Sequence, residues 1–200
     1  STSGFGHTGP YRERGAVDAI VQGMGGVMSM TGHEGSPPAR AGYSIGDMAG
    51  GMFTAIGVLS ALVERQTSGV GQHVDVAMLD AQVALMENAM VRFGATGEVQ
   101  GPVGFGHPLS TPHQAFPVKD GWMVLANVKD HDWELFCATI GCDELATDER
   151  FTTNPVRTRN YPALEPILFE AFRKKTFAEW YELLHGIALL GPVNRVDQVA

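Results

Sequence analysis

Apolar positions recur at helical spacing through the first half of the chain. Met48, Met52, Ile56, Leu59, Leu62 and Val63 predict one long helix over 47–64. Gly46-Asp47 offers its N-terminal cap, and Gly69 lies beyond its end. Ala49, Gly50, Gly51, Ala55 and Gly57 make this helix thin, so another element must approach it closely. Alternation over His73-Val74-Asp75-Val76 reads as a strand. Leu79, Val83, Met86, Met90 and Phe93 form the next helical stripe, with Gly94 as its stop. Further on, 114–118 and 122–128 flank Asp120-Gly121 as a hairpin. Asp130 or Asp132 then caps a helix bearing Trp133, Phe136 and Ile140, ended by Gly141. Leu164, Ile167, Leu168, Ala171 and Phe172 mark another helix. Thr176 and Glu179 have capping-box spacing ahead of Trp180, Leu183 and Leu184, and Gly186 closes that last helix.

Glycine divides the chain. Residues 1–106 hold 21 of the 25 glycines, whereas Trp122, Trp133 and Trp180 all lie beyond them. Gly97, Gly101, Pro102, Gly104, Gly106, Pro108 and Pro112 punctuate the stretch between. The expected organisation is a glycine-rich part over 1–96, a connection over 97–113, and a small α/β domain over 114–200 with no evident chemistry of its own. Ser1-Thr2-Ser3-Gly4 opens without methionine and without an element before the glycine loop, so the chain reads as an excerpt of something longer.

Composition narrows the function classes. An apolar fraction of 44% and a charged fraction of 18% suit a folded chain with a core. The net charge of −8 argues against a dedicated nucleic-acid binder, whose affinity comes largely from neutralising phosphates. No uninterrupted run of 18 apolar residues occurs, so no membrane span is expected, and no secretion signal is visible. Cys137 and Cys142 are too few for a disulfide framework and supply half a zinc site, so two ordinary thiols, a cytoplasmic setting and no metal are expected.

Two features could carry chemistry. Gly4-Phe5-Gly6-His7-Thr8-Gly9 matches the spacing of a dinucleotide fingerprint. It lacks a preceding strand, a following helical stripe and a well-placed acidic residue, Glu34 falling in a Gly/Pro-rich loop. A tight glycine turn at a strand exit is the alternative. Asp47 sits where a Gly/Pro-rich loop meets a helix start, followed by Met48-Ala49-Gly50-Gly51. A helix N-terminus stabilises the carboxylate, and the small neighbours leave room for a bulky ligand. Such a carboxylate can attack an activated acyl group, or it can be an ordinary capping aspartate. Arg12 and Arg14 could meet a phosphate or be solvated surface side chains, and His107 and His113 could face a pocket or solvent. Neither H-E-x-x-H nor G-x-S-x-G occurs, so a hydrolase triad is unsupported.

Taken together, several segments resemble one family. Ser3-Gly4-Phe5-Gly6-His7-Thr8-Gly9-Pro10-Tyr11, Gly46-Asp47-Met48-Ala49-Gly50-Gly51 and Glu64-Arg65-Gln66-Thr67-Ser68-Gly69 are similar to segments of the family III CoA-transferases. Phe151-Thr152-Thr153-Asn154 and Gly191-Pro192-Val193-Asn194 continue the likeness. This CaiB–BaiF group includes formyl-CoA:oxalate and carnitine CoA-transferases, with an acyl-CoA racemase as a relative. The resemblance implies part of a Rossmann-like large domain plus a small α/β domain, in an interlocked homodimer. It implies transfer of coenzyme A from an acyl-CoA thioester to a carboxylic acid, with no tightly bound cofactor and neither nucleic acid nor membrane as partner.

The resemblance also distributes roles. Asp47 becomes the nucleophile, passing through an aspartyl anhydride and an aspartyl-CoA thioester. Asp18 becomes an auxiliary acid near it. Arg14, Gly15, Ala16 and Val17 fall on a CoA-binding segment, and Gly104, Phe105 and Gly106 fall on a substrate loop. The racemase relative uses a histidine where this chain has Val17, and valine cannot carry a proton. Transfer is therefore preferred over racemisation. The alternative from another class is a non-catalytic fragment that needs a partner chain.

Overall fold

A computed structural model describes residues 1–107 and 109–199. Pro108, one of the residues punctuating the connection, lies outside the described residues. The chain forms two compact units, Ser1–Gly104 and Phe105–Ala200.

The first unit begins with β1 (Thr2–Ser3), which pairs in parallel with β2 (Val76–Ala77). Between them run α1 (Asp18–Met24), α2 (Val27–Met30) and α3 (Ile45–Ser68). After β2 come α4 (Met78–Ala84) and α5 (Glu87–Thr96). The thinness of α3 is used as expected. A Cβ on Gly50 would stand 3.0 Å from Met78 Cγ, and one on Gly57 would stand 2.7 Å from Val74 Cγ1. Glycine there lets α4 and the chain entering β2 approach the helix backbone.

Several expectations are corrected here. The cap of α3 is Ser44, with Asp47 as third helical residue. The strand expected over 73–76 is instead the two residues Val76–Ala77, paired with Thr2 and Ser3. The single helix expected through Phe93 is two helices. Leu85 and Met86 N–H groups close tight turns onto Gln82 and Val83 carbonyls, which breaks the helical run. Gly94 lies inside α5, and the stop is Gly97, whose φ of 74° is the left-handed conformation that glycine tolerates. One helix bears on the expectation that no membrane span occurs. By length and composition α3 is long and apolar enough to cross a membrane, because glycine, serine and threonine interrupt its apolar residues without charging them. Met48, Met52, Ile56, Leu59 and Val63 form an exposed stripe along it.

The second unit holds the large apolar core. β3 (Gln114–Val118), β4 (Gly121–Ala126) and β5 (Leu189–Pro192) form an antiparallel sheet in that order. Val118 pairs with Gly121, so the turn is Lys119-Asp120 and Gly121 opens the second strand. A 3-10 turn, Asp130–Asp132, leads into α6 (Trp133–Ile140), stopped by Gly141 at φ 75°. There follow α7 (Glu144–Thr147), α8 (Asn154–Arg159), α9 (Tyr161–Phe172) and α10 (Phe177–Leu184), which is capped by His185 rather than Gly186. Phe116, Met123, Leu125, Phe136, Phe151, Leu164, Leu168 and Phe172 pack in the interior with Trp180, whose Nε1–H donates to the Phe172 carbonyl at 2.8 Å. By contrast, the first unit buries few apolar side chains: Val21, Val27, Ala49, Ala77 and Ala81.

The capping box of α10 is formed as expected. Thr176 N–H donates to Glu179 Oε2 at 2.8 Å, and Glu179 N–H donates to Thr176 Oγ1 at 3.3 Å. The Thr176 N–H, and then the Thr176 hydroxyl donating to the same Oε2 at 2.9 Å, hold the Glu179 carboxyl below its ordinary range. A depressed folded-state pKa stabilises above the unfolded value and is lost as pH falls through the folded one. Melting temperature should therefore drop below about pH 4, and Glu179→Gln should flatten that part of the decline. Thermal melts across pH 3–6, for both proteins, check it.

Candidate functional site

Asp47 lies in the first turn of a 24-residue helix with its side chain exposed, and no described residue hydrogen-bonds its carboxylate. The helix N-terminus favours the anion, and solvent access leaves it open to a substrate. The residue before it is held firmly. Gly46 is buried, and its N–H donates to Asp18 Oδ1 at 2.9 Å. A Cβ at Gly46 would stand 3.1 Å from Val21 Cγ1 and 3.2 Å from Asp18 Oδ1. Glycine here lets α1 and α3 meet at the foot of the aspartate.

Asp18 is the first residue of α1 and is 7% exposed. Its second oxygen, Oδ2, accepts from Gln22 Nε2 at 2.7 Å. Gln22 is fully buried. It also donates to the Tyr43 carbonyl at 3.2 Å and accepts from the Ala41 N–H at 2.9 Å. Gln82, also fully buried, donates to the Val21 carbonyl at 3.0 Å. The sequence reading names neither glutamine. The only signal for Gln22 is its helical i, i+4 spacing from Asp18.

Several backbone donors at the start of α3 are committed within the protein. Ile45 N–H already donates to Tyr43, Gly46 N–H to Asp18 and Met48 N–H to Ser44. Those three donors therefore hold the aspartate's backbone rather than a ligand.

The segment Arg14, Gly15, Ala16 and Val17 leads directly into α1. Arg14 is exposed, with its guanidinium 4.2 Å above the Tyr11 ring, and Tyr11 makes an edge contact with Phe5 at 5.5 Å. Arg12 pairs with Glu13 at 3.3 Å. Val17 caps α1 and is 65% exposed. A Cβ on Gly4 would collide with the Ala16 Cβ at 2.3 Å, so Gly4 is what seats this segment against β1. Gly4→Ala should cost about 1–3 kcal/mol by overpacking, and Ala16→Gly in the same chain should restore part of it. Denaturant titration of both variants checks this.

The glycine loop itself is a turn at the exit of β1. Gly6 and Gly9 have φ of 77° and 81°, and no helix begins before Asp18. That is the glycine-turn alternative, not a dinucleotide fingerprint. Nearby, Ser1 Oγ lies 2.6 Å from His7 Nε2, and the same Nε2 is 3.8 Å from Asp75 Oδ1. One nitrogen facing both partners cannot relay a proton between them.

Gly104 N–H donates to the Gly32 carbonyl at 2.9 Å, and Gly104 has φ 62° beside His33. Phe105 and Gly106 belong to the second unit, where Phe105 packs on Trp122 at 5.3 Å. His107 and His113 stack at 4.7 Å, and burial, then His107, pushes the His113 imidazole down. Cys137 and Cys142 are free and buried, and burial pushes the Cys137 thiol up to about 12, which leaves it unreactive. An apolar groove of about 330 Å³, lined by Met24, Met30, Met86, Met90 and Phe93, lies by the C-terminal end of α1, whereas Asp18 starts that helix.

Comparison with known proteins follows this geometry. The model of CoA-transferase family III matches residues 1–200. Acetyl-CoA:oxalate CoA-transferase of Acetobacter aceti is 39% identical over all of this chain and 52% of its own length. Succinate–glutarate CoA-transferase of Agrobacterium fabrum is 32% identical, over all of this chain and 50% of its own. The crystal structure of a CaiB/BaiF family protein from Brucella suis superposes with a TM-score of 0.89 at 36% identity, covering all of this chain and 53% of that one. The chain thus spans about half the length of the relatives it matches. Over its whole length, it belongs to CoA-transferase family III.

Proposed function

We propose that this chain carries the nucleophile of an enzyme that moves coenzyme A from an acyl-CoA thioester to a carboxylic acid. The observation that carries the reading is Asp47: an open carboxylate at a helix start, its backbone locked by buried Asp18 through Gly46. Relatives named as CoA-transferases for oxalate, and for succinate and glutarate, support it.

In this reading, an Asp47 oxygen attacks the thioester carbonyl, forming an acyl anhydride and releasing CoA thiolate. The thiolate attacks the Asp47 carbonyl, giving an aspartyl-CoA thioester and the free donor acid. The acceptor carboxylate then displaces CoA to form a second anhydride. Thiolate attack on its acyl carbon yields the new acyl-CoA and frees the Asp47 carboxylate. Arg14, Gly15, Ala16 and Val17 hold CoA, with the stacked Arg14 guanidinium facing a phosphate. Asp18 is auxiliary to the nucleophile, and Gly104, Phe105 and Gly106 form a substrate loop. Val17 stands where racemisation would need a base, which favours transfer. Residues 1–96 form part of the large domain, 97–113 the connection and 114–200 the small domain. The complete enzyme is a cytoplasmic homodimer that needs no metal, nucleic acid or membrane.

Label transfer tests this. With an acceptor acid carrying ¹⁸O in its carboxylate, each turnover leaves one labelled oxygen on Asp47 of the complete polypeptide. Peptide mass spectrometry should find the label on Asp47. Turnover without label there would contradict the reading.

A further inference from the structure

We infer that Gln22 is a positioning residue for the Asp47 carboxylate, acting through Asp18 and Gly46; this rests on the transfer reading above. The connection is continuous. Gln22 Nε2 donates to Asp18 Oδ2 at 2.7 Å, and Asp18 Oδ1 accepts the Gly46 N–H at 2.9 Å. Gly46 is bonded directly to Asp47. The remaining Gln22 contacts, to the Ala41 N–H and the Tyr43 carbonyl, tie down the loop that leads into α3. One buried amide therefore fixes both the carboxylate beneath Gly46 and the backbone ahead of it.

Burial makes this arrangement stiff. Gln22 is 0% exposed and Asp18 is 7% exposed, so water does not readily replace a lost bond. Without the amide, Asp18 loses the donor that sets its rotation, and Gly46 loses a fixed acceptor. The nucleophile is then held less closely to its attack geometry, where errors near 1 Å cost about 100-fold in rate.

A buried glutamine could serve packing alone, so the test uses a readout that packing would not move. Gln22→Met keeps the length and removes every polar contact. Gln22→Glu keeps the shape and places a carboxyl against Asp18 Oδ2. Two such carboxyls share one proton, and the shared proton replaces the missing donor. Of the packed elements, α3 carries the charged groups Asp47, Glu64 and Arg65, α4 carries Asp80 and α2 none, while the loop between α2 and α3 adds His33, Glu34, Arg40 and Tyr43.

The rate of Asp47 acylation is measured in the complete polypeptide at saturating acyl-CoA, by trapping with hydroxylamine. Gln22→Met should be about 100-fold slower at every pH, with KM changed less than about threefold. Gln22→Glu should recover as pH falls, a limb that the parent amide lacks. Hydrogen exchange of the Gly46 amide gives a readout independent of turnover: faster in Gln22→Met, and protected again at low pH in Gln22→Glu. Parent-like rates and exchange in Gln22→Met, or no low-pH recovery in Gln22→Glu, would overturn the inference. An adduct that persists in Asp47→Ala would instead sink the transfer reading. An adduct lost in Asp47→Ala but untouched in both Gln22 variants sinks only the role of Gln22.

Discussion

Asp47→Ala should abolish CoA transfer in the complete polypeptide, lowering kcat by at least about 10⁴-fold, in the range set by loss of a covalent nucleophile. Affinity for CoA should stay within about threefold, because the segment assigned to CoA precedes α1 and makes no hydrogen bond to the Asp47 carboxylate. Folding should be nearly unchanged. Asp47 is exposed, no described residue hydrogen-bonds its carboxylate, and alanine suits a helix. What is lost is only the atom that attacks. Steady-state kinetics beside equilibrium CoA binding checks both halves of the expectation. Loss of both together would mean that Asp47 binds rather than reacts.

The largest stability effect is expected in the second unit, at Arg157. Its side chain is 0% exposed and donates to three oxygens: the Thr111 carbonyl at 3.0 Å, the Phe151 carbonyl at 3.1 Å and Asp130 Oδ1 at 2.6 Å. Its guanidinium lies 4.3 Å above the Trp133 ring. Burial pushes the Arg157 pKa down and Asp130 pushes it back up, but arginine stays charged at any ordinary pH. Arg157→Ala leaves two carbonyls without their donor and a void beside Trp133. The expected cost is about 3–5 kcal/mol, typical of breaking a buried charged network from one side. Asp130→Asn should cost much less, since that carboxylate is half exposed and can turn to water. Denaturant unfolding of the two variants, with tryptophan emission as the probe, distinguishes them.

Local signals were legible where the physics is local. The stripe over α3, the glycine stops at Gly69 and Gly141, and the Thr176–Glu179 box all stand as the sequence implies. Each depends on residues within a turn or two. Elements that depend on a distant partner were not legible. β2 pairs with Thr2–Ser3 from the other end of the first unit, and β5 exists because β4 offers an edge to Leu189–Pro192. The break at Leu85–Met86 arises although the apolar stripe runs straight through it.

The site divides in the same way. Asp47 could be picked out from its place at a loop-to-helix junction among small residues. Its support could not, because Asp18 reaches Gly46 across 28 positions of sequence. Gln22 looks like any helical glutamine until the fold closes the Ala41–Tyr43 loop over it. At the start of α3 the Ile45 and Gly46 N–H groups go to the loop and to Asp18, which sequence spacing does not show.

Trapping at Asp47 tests the central claim most directly. The complete polypeptide is incubated with a panel of acyl-CoA donors and then hydroxylamine, and the tryptic peptide over 41–65 is weighed and fragmented. The account predicts a hydroxamate on Asp47 that depends on donor and is absent from Asp47→Ala. A folded protein that binds CoA and transfers it, yet carries no adduct on Asp47, would contradict the account.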